Sequence, residues 1–229
     1  MRPYHLPLLL CAACTPAMRA PATPAPADTG RIAVDGGTLY YESQGSGPAV
    51  VLLHGGRMDL RSWDAQAGAL APGFRVIRYD AGGHGRSTAP LDPPSQTEHV
   101  TRVLDHLGVQ RAHVVGLSMG GGAALDFAFR HPERVESLVL VSTSGPPPGI
   151  PVDSNAVLTH PAGRRRLGAL PMPRLLVVGE RDSPGVLAAA QAVRNEAPGV
   201  EVASIPGAHL PNQDAPEAFN QLLLRFLRR

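Results

Sequence analysis

Short apolar runs alternate along the chain with segments whose apolar positions recur every three or four residues. Ala49 to Leu53, Ala112 to Val115, Val135 to Val141 and Leu175 to Val178 have the length and composition of strands buried on both faces. Arg75 to Asp80 and Val200 to Ile205 read as two more strands. Between them the pattern predicts helices over Leu60 to Leu70, Glu98 to Leu107, Ala123 to Arg130, Val186 to Asn195 and Pro216 to Leu227. Gly108 stops the second of these and His131-Pro132 closes the third. Ahead of them, Ile32-Ala33-Val34 and Thr38-Leu39-Tyr40-Tyr41 form a hairpin around Asp35-Gly36-Gly37. Alternating strands and helices predict an α/β fold: a mostly parallel, twisted sheet with helices on both faces. Ligands of such sheets gather at the carboxyl ends of the strands.

Two stretches break the alternation. Residues 1–13 carry Arg2, then an apolar segment from Leu6 to Ala13 that leads into Cys14. This resembles a short bacterial lipoprotein signal, which would be cleaved and lipidated at Cys14. Residues 14–30 are Pro- and Ala-rich and read as a tether, leaving 31–229 as the folded domain. The resemblance implies an exported, membrane-anchored bacterial protein; a mis-assigned start codon would make it cytoplasmic instead. Cys11 and Cys14 also allow a disulfide or redox pair, but no βαβ pattern surrounds them. The second stretch is 144–173, which holds Gly145-Pro146-Pro147-Pro148-Gly149 and little helical pattern.

Composition narrows the classes without choosing among them. The chain has 229 residues, 43% hydrophobic and 17% charged, enough for one sizeable core. A net charge of +2 implies no nucleic-acid partner. All basic residues are Arg, and with abundant Ala, Pro and Gly this reads as coding bias, so Arg usage alone carries no function. The Arg164-Arg165-Arg166 run and the Arg225, Arg228 and Arg229 tail read as solvated surface. No apolar run is long enough to span a bilayer.

The chemistry enters at Val114-Val115-Gly116-Leu117-Ser118-Met119-Gly120, where an apolar strand passes through Gly-x-Ser-x-Gly into a helical run. Gly116 and Gly120 fit a turn where strand and helix pass close together. Ser118 would stand above the sheet edge, and the Met119 N–H would lie at a helix start, where negative charge is stabilised. Strand ends downstream carry Gly179-Glu180-Arg181-Asp182 and Pro206-Gly207-Ala208-His209. A neutral hydroxyl needs a base to become a nucleophile, and a base that turns cationic needs an anion behind it.

The chain from about Arg31 to Leu227 resembles the α/β-hydrolases, in which serine, acid and histidine follow one another in this order. Leu53-His54-Gly55-Gly56, Gly83-His84-Gly85-Arg86-Ser87 and Gly207-Ala208-His209-Leu210-Pro211 resemble its small esterase and enol-lactonase-like branch. The resemblance implies Ser118 as nucleophile, His209 as base, Asp182 as acid, and the N–H groups of Gly56 and Met119 as an oxyanion hole. It implies a monomer acting on a small-molecule ester, with no cofactor and no metal. Asp153 is the alternative acid. Asp182 could instead cap the helix that follows it. Relatives carry an Arg where this chain has Gly82, which would weaken a buried ion pair. They also place a helical cap over the site, here reduced to residues 144–173.

His54 and His84 read as hydrogen-bonding residues of the loops, and Trp63 as core. His99, His106, His113, His131 and His160 show no metal-ligand spacing and read as surface or cap-segment histidines. Three functions stay open: a carboxylic-ester hydrolase, a lactonase or cofactor-free perhydrolase on the same residues, and an inactive binding lipoprotein.

Overall fold

The structure, a computed structural model, describes residues 28–91, 95–143 and 158–229. Cys14, the signal-like segment and Asp153 lie outside the described residues. Eight strands form one sheet in the order β1-β2-β4-β3-β5-β6-β7-β8. The first two, β1 (Asp28–Val34) and β2 (Gly37–Gln44), make the expected hairpin, and β2 pairs antiparallel with the next strand of the sheet. β1 starts at Asp28, inside the expected tether, because Asp28, Thr29 and Gly30 pair with Ser43, Glu42 and Tyr41. The other six run parallel: β3 (Ala49–Leu53), β4 (Arg75–Tyr79), β5 (Ala112–Leu117), β6 (Val135–Val141), β7 (Arg174–Gly179) and β8 (Val200–Ile205).

Successive residues of a strand point to opposite faces, and both faces are apolar here. Val51, Leu53, Val114, Leu138, Leu140, Leu176 and Val178 share one core with Val100, Leu104, Phe127, Leu167 and Val193. Those partners come from α2 (Ser95–His106), α3 (Met119–Arg130), α4 (Pro161–Gly168) and α5 (Pro184–Glu196). Val50, Leu52, Val115, Leu117, Val139, Val141 and Val177 share the other core with Trp63, Leu70, Phe219 and Phe226. These come from a 3-10 turn (Leu60–Trp63), α1 (Asp64–Leu70) and α7 (Pro216–Leu227). The expected two-faced sheet is therefore present, and Trp63 is fully buried in it, with the Phe219 ring 6.1 Å away. Among the described residues, no helix is long and apolar enough to cross a membrane.

The chain order decides where a site can form. β3 lies between β4 and β5, so the chain leaves β3 first to one side and then to the other. The carboxyl ends of β3 and β5 flank the resulting crevice, which is the usual ligand position in an open parallel sheet.

Three expectations need correction. Residues 158–173 are not without helix, since α4 lies there. Its Leu167 joins the sheet core and Arg166 stacks 4.0 Å over the Phe129 ring of α3, so α4 covers the sheet face rather than the crevice. Arg164 is not solvated: it is 6% exposed, held by Glu196 at 2.8 Å and by the Leu158 carbonyl at 3.0 Å. His99 and His113 are buried rather than at the surface, because α2 turns His99 inward and the His113 ring meets Ser137 of β6 at 2.8 Å.

The Trp63–Phe219 contact joins the two ends of the chain across one core. Phe219→Ala should lower the unfolding free energy by ~3–5 kcal/mol, the usual cost of an aromatic-sized cavity. Urea unfolding followed by Trp63 fluorescence measures it; a loss below about 1 kcal/mol would mean that the core can collapse around the gap.

Candidate active site

One residue turns the chain between β5 and α3, and it is Ser118. Its φ of 51° and ψ of −109° lie outside the basins open to a residue with a side chain. Such strain costs on the order of 1–3 kcal/mol and persists only where the surroundings enforce it. Here the Ser118 N–H donates to the Val141 carbonyl at 2.8 Å, and the Gly122 N–H donates to the Ser118 carbonyl at 3.2 Å. A Cβ on Gly116 would overlap the Gly120 carbonyl, and one on Gly120 would overlap the Leu53 carbonyl. Backbones this close leave no room for any side chain at either position.

The Ser118 side chain does not cap α3. Its Oγ lies 3.0 Å from His209 Nε2 instead. On the far side of that ring, Nδ1 lies 2.9 Å from Asp182 Oδ1. Asp182 is 5% exposed, and its Oδ1 also accepts the Ser183 N–H at 2.7 Å, so the carboxylate is an acceptor. Nδ1 then carries the ring proton, and Nε2 is free to accept from the Ser118 hydroxyl. Asp182 Oδ2 is buried without a partner among the described residues. Backbone bonds join the two loops: the Glu180 N–H donates to the Ile205 carbonyl and the Arg181 N–H to the Gly207 carbonyl, each at 2.9 Å.

Gly56, just beyond β3, is exposed and faces Met119: a Cβ on Gly56 would stand 3.7 Å from Met119 Sδ. The Met119 N–H belongs to the first turn of α3, where backbone donors have no acceptor within the helix. The structure thus brings Ser118, Asp182, His209, Gly56 and Met119 to one place.

Below Gly56, two histidines hold the loop. His54 Nε2 accepts the Ala81 N–H at 3.0 Å, so its Nδ1–H donates to the Gly55 carbonyl at 2.8 Å. His84 repeats the arrangement, accepting the Arg57 N–H at 3.3 Å and donating to the Gly82 carbonyl at 2.9 Å. Burial pushes the His54 pKa below its ordinary value. The buried Asp80 carboxylate accepts the Leu60 N–H at 2.8 Å and the Arg86 N–H at 2.6 Å. No Arg can replace Gly82, since even a Cβ there would overlap the Pro90 carbonyl. Asp80 is satisfied by backbone donors in place of an ion pair.

Sequence reasoning missed three residues that hold His209. Asp214 Oδ2, on the short helix α6 (Pro211–Asp214), accepts the Ala208 N–H at 2.6 Å. The buried Asn212 side chain donates to the Ser62 carbonyl at 2.8 Å, and the buried Gln66 donates to the Asn212 carbonyl at 3.0 Å. The available signal was Gln66, a polar residue among the inward positions Trp63, Ala67 and Leu70. Among the described residues, no three His, Cys, Asp or Glu side chains converge as a metal site requires.

Residues 48–171 match the family described as alpha/beta hydrolase fold. A 2-hydroxy-6-oxononadienedioate/2-hydroxy-6-oxononatrienedioate hydrolase of Paraburkholderia phymatum is 38% identical over 141 residues, covering 54% of this chain and 48% of that one. The chain thus spans about half the length of this curated relative. A hydrolase from Pseudomonas aeruginosa PA01 superimposes with a TM-score of 0.75 at 27% identity, covering 87% of this chain and 98% of the other. The enol-lactonase from Burkholderia xenovorans LB400 shares the fold, with a TM-score of 0.74, 23% identity and coverage of 87% and 100%.

His54 and His113 are both buried with lowered pKa values, so each stays neutral in the folded protein below its ordinary value of 6.5. The unfolded chain binds more protons there, and stability therefore rises with pH through that window. The urea midpoint should fall as the pH drops from about 6.5 toward 5, and His113→Gln should flatten the dependence. An equal slope in that variant would remove His113 from the account.

Proposed function

The chain belongs to the alpha/beta hydrolase fold family, and we propose that this member is a serine hydrolase that cleaves carboxylic esters through an acyl-enzyme. The observation that carries the reading is the unbroken contact line from Ser118 Oγ through His209 to a buried Asp182 carboxylate. As Oγ attacks the ester carbonyl, Nε2 takes its proton. The ring becomes a cation, which Asp182 stabilises while holding the tautomer. The carbonyl oxygen becomes an anion against the N–H groups of Met119 and Gly56, each such donor being worth about 3–4 kcal/mol of barrier. His209 then returns its proton to the leaving oxygen, and the alcohol departs. Water, deprotonated by the same nitrogen, releases the acid and restores Ser118. A lactone is a cyclic ester opened by the same steps, so lactones fall within the proposal.

A fluorophosphonate should label Ser118, as peptide mapping would show, and no label there would overturn the reading. Ser118→Ala and His209→Ala should each lower kcat/KM for p-nitrophenyl acetate by about 1,000-fold or more, and the double variant should be no worse than either. Asp182→Asn should cost at least about 100-fold through the wrong tautomer, while Asp153→Asn costs little. The reverse ranking would transfer the acid role.

Committed to the sheet face, α4 supplies no wall for the acyl chain. Each added methylene should contribute well under the ~0.8 kcal/mol of full burial. A p-nitrophenyl series from acetate to palmitate tests this, and a steep rise in kcat/KM would show a deep acyl pocket.

A further inference from the structure

Arg57 follows Gly56 directly, and its backbone is the anomaly of that loop. It holds a φ of 60°, in the left-handed region that glycine enters freely and a long side chain rarely does. A strained arginine where glycine would fit freely implies that the side chain itself is needed. The backbone is fixed by its N–H bond to His84, but the exposed guanidinium makes no hydrogen bond or ion pair among the described residues.

Its arginine neighbours differ. Arg61 grips both oxygens of Asp59. Arg78 is tied to Glu42 at 2.7 Å and Arg86 to Glu42 at 3.0 Å. Each described carboxylate of this region is taken: Asp59 by Arg61, Asp64 by Arg78, and Asp80 by backbone donors. The rings beneath Arg57, His84 and His54, each accept a backbone N–H through one nitrogen and supply no counter-charge. Among the described residues Arg57, next in the chain to Gly56, is left without a counter-charge.

The side of the crevice matters. The leaving oxygen must face His209 to receive its proton, and His209 is carried by the loop after β8. The acyl chain then points away from β8. Arg57 stands after β3, on the opposite side of β5 from β6, β7 and β8.

We infer that Arg57 is a specificity residue that binds a carboxylate on the acyl chain of the substrate, so the preferred esters are monoesters of short dicarboxylic acids. This rests on Ser118 acting as the nucleophile. The guanidinium would pair with the carboxylate in a charge-assisted contact and draw anionic esters toward a wall whose other described charges are paired.

The test compares mono-p-nitrophenyl glutarate with p-nitrophenyl valerate, which has the same chain length without the charge. In the wild type the kcat/KM ratio should favour the glutarate ester, and Arg57→Gln should lower that ratio about tenfold. Arg57→Lys should restore part of it, and about half-molar salt should shrink the wild-type preference while leaving Arg57→Gln unaffected. An equal ratio in wild type and Arg57→Gln would overturn the inference. A second readout does not need turnover. In a Ser118→Ala background, binding of the glutarate ester followed by NMR titration should weaken about tenfold on adding Arg57→Gln. Unchanged binding there overturns the role of Arg57, whereas absent hydrolysis with Arg57-dependent binding overturns the reading of Ser118 and leaves the carboxylate site standing.

Discussion

No atom fits between the Gly116 backbone, the first turn of α3 and the Leu53 carbonyl. That close crossing is the constraint on which the rest depends. It lets α3 start with a single residue between it and β5, and it forces Ser118 into a backbone conformation that a relaxed chain avoids. The strain is repaid by the packing of α3 on a sheet buried from both sides. The crossing sets Ser118 at the chain-order switch between β3 and β5, with the first-turn donors of α3 beside it.

The strained turn sets Ser118 Oγ 3.0 Å from His209 Nε2, and a line of buried polar contacts holds that histidine in place. Asp80 holds the start of the 3-10 turn at Leu60. Ser62 and Gln66, in that turn and in α1, hold Asn212. Asn212 and Asp214 fix the loop that carries His209. The same Asp80 accepts from Arg86, in the loop whose Ala81 holds His54 below Gly56. The serine, the histidine and the Gly56 loop are therefore referred to one rigid frame, although they are far apart in sequence. Preorganisation of this kind is what makes fixed dipoles effective against developing charge.

Charge is distributed with the same economy. The buried carboxylates near the site are Asp80, met by backbone donors, and Asp182, met by His209 and the Ser183 N–H. The imidazoles under the Gly56 loop accept backbone N–H groups. Next to that loop the exposed guanidinium of Arg57 has no partner among the described residues.

The strands and most helices were legible in the sequence because their signals are local: an apolar run is a buried strand wherever it lies, and a 3.6-residue period marks one helical face. β3, β6, β8 and α7 lie at the expected residues. The turn at Ser118 was legible because its geometry admits few residues, and the order of Ser118, Asp182 and His209 because each follows a strand. The tertiary structure decided what depends on an element's neighbours. Arg164 looked like surface until Glu196 of α5 came beside it. His113 looked like surface until β6 brought Ser137 to its ring. Gly82 looked like the loss of an ion pair, but Pro90 occupies the space an arginine would need. Gln66 and Asn212 are 146 residues apart, and no local period can announce a hydrogen bond between them. Sequence pattern records which face of an element is apolar; which polar groups survive burial is settled by the partner that long-range packing sets against each one.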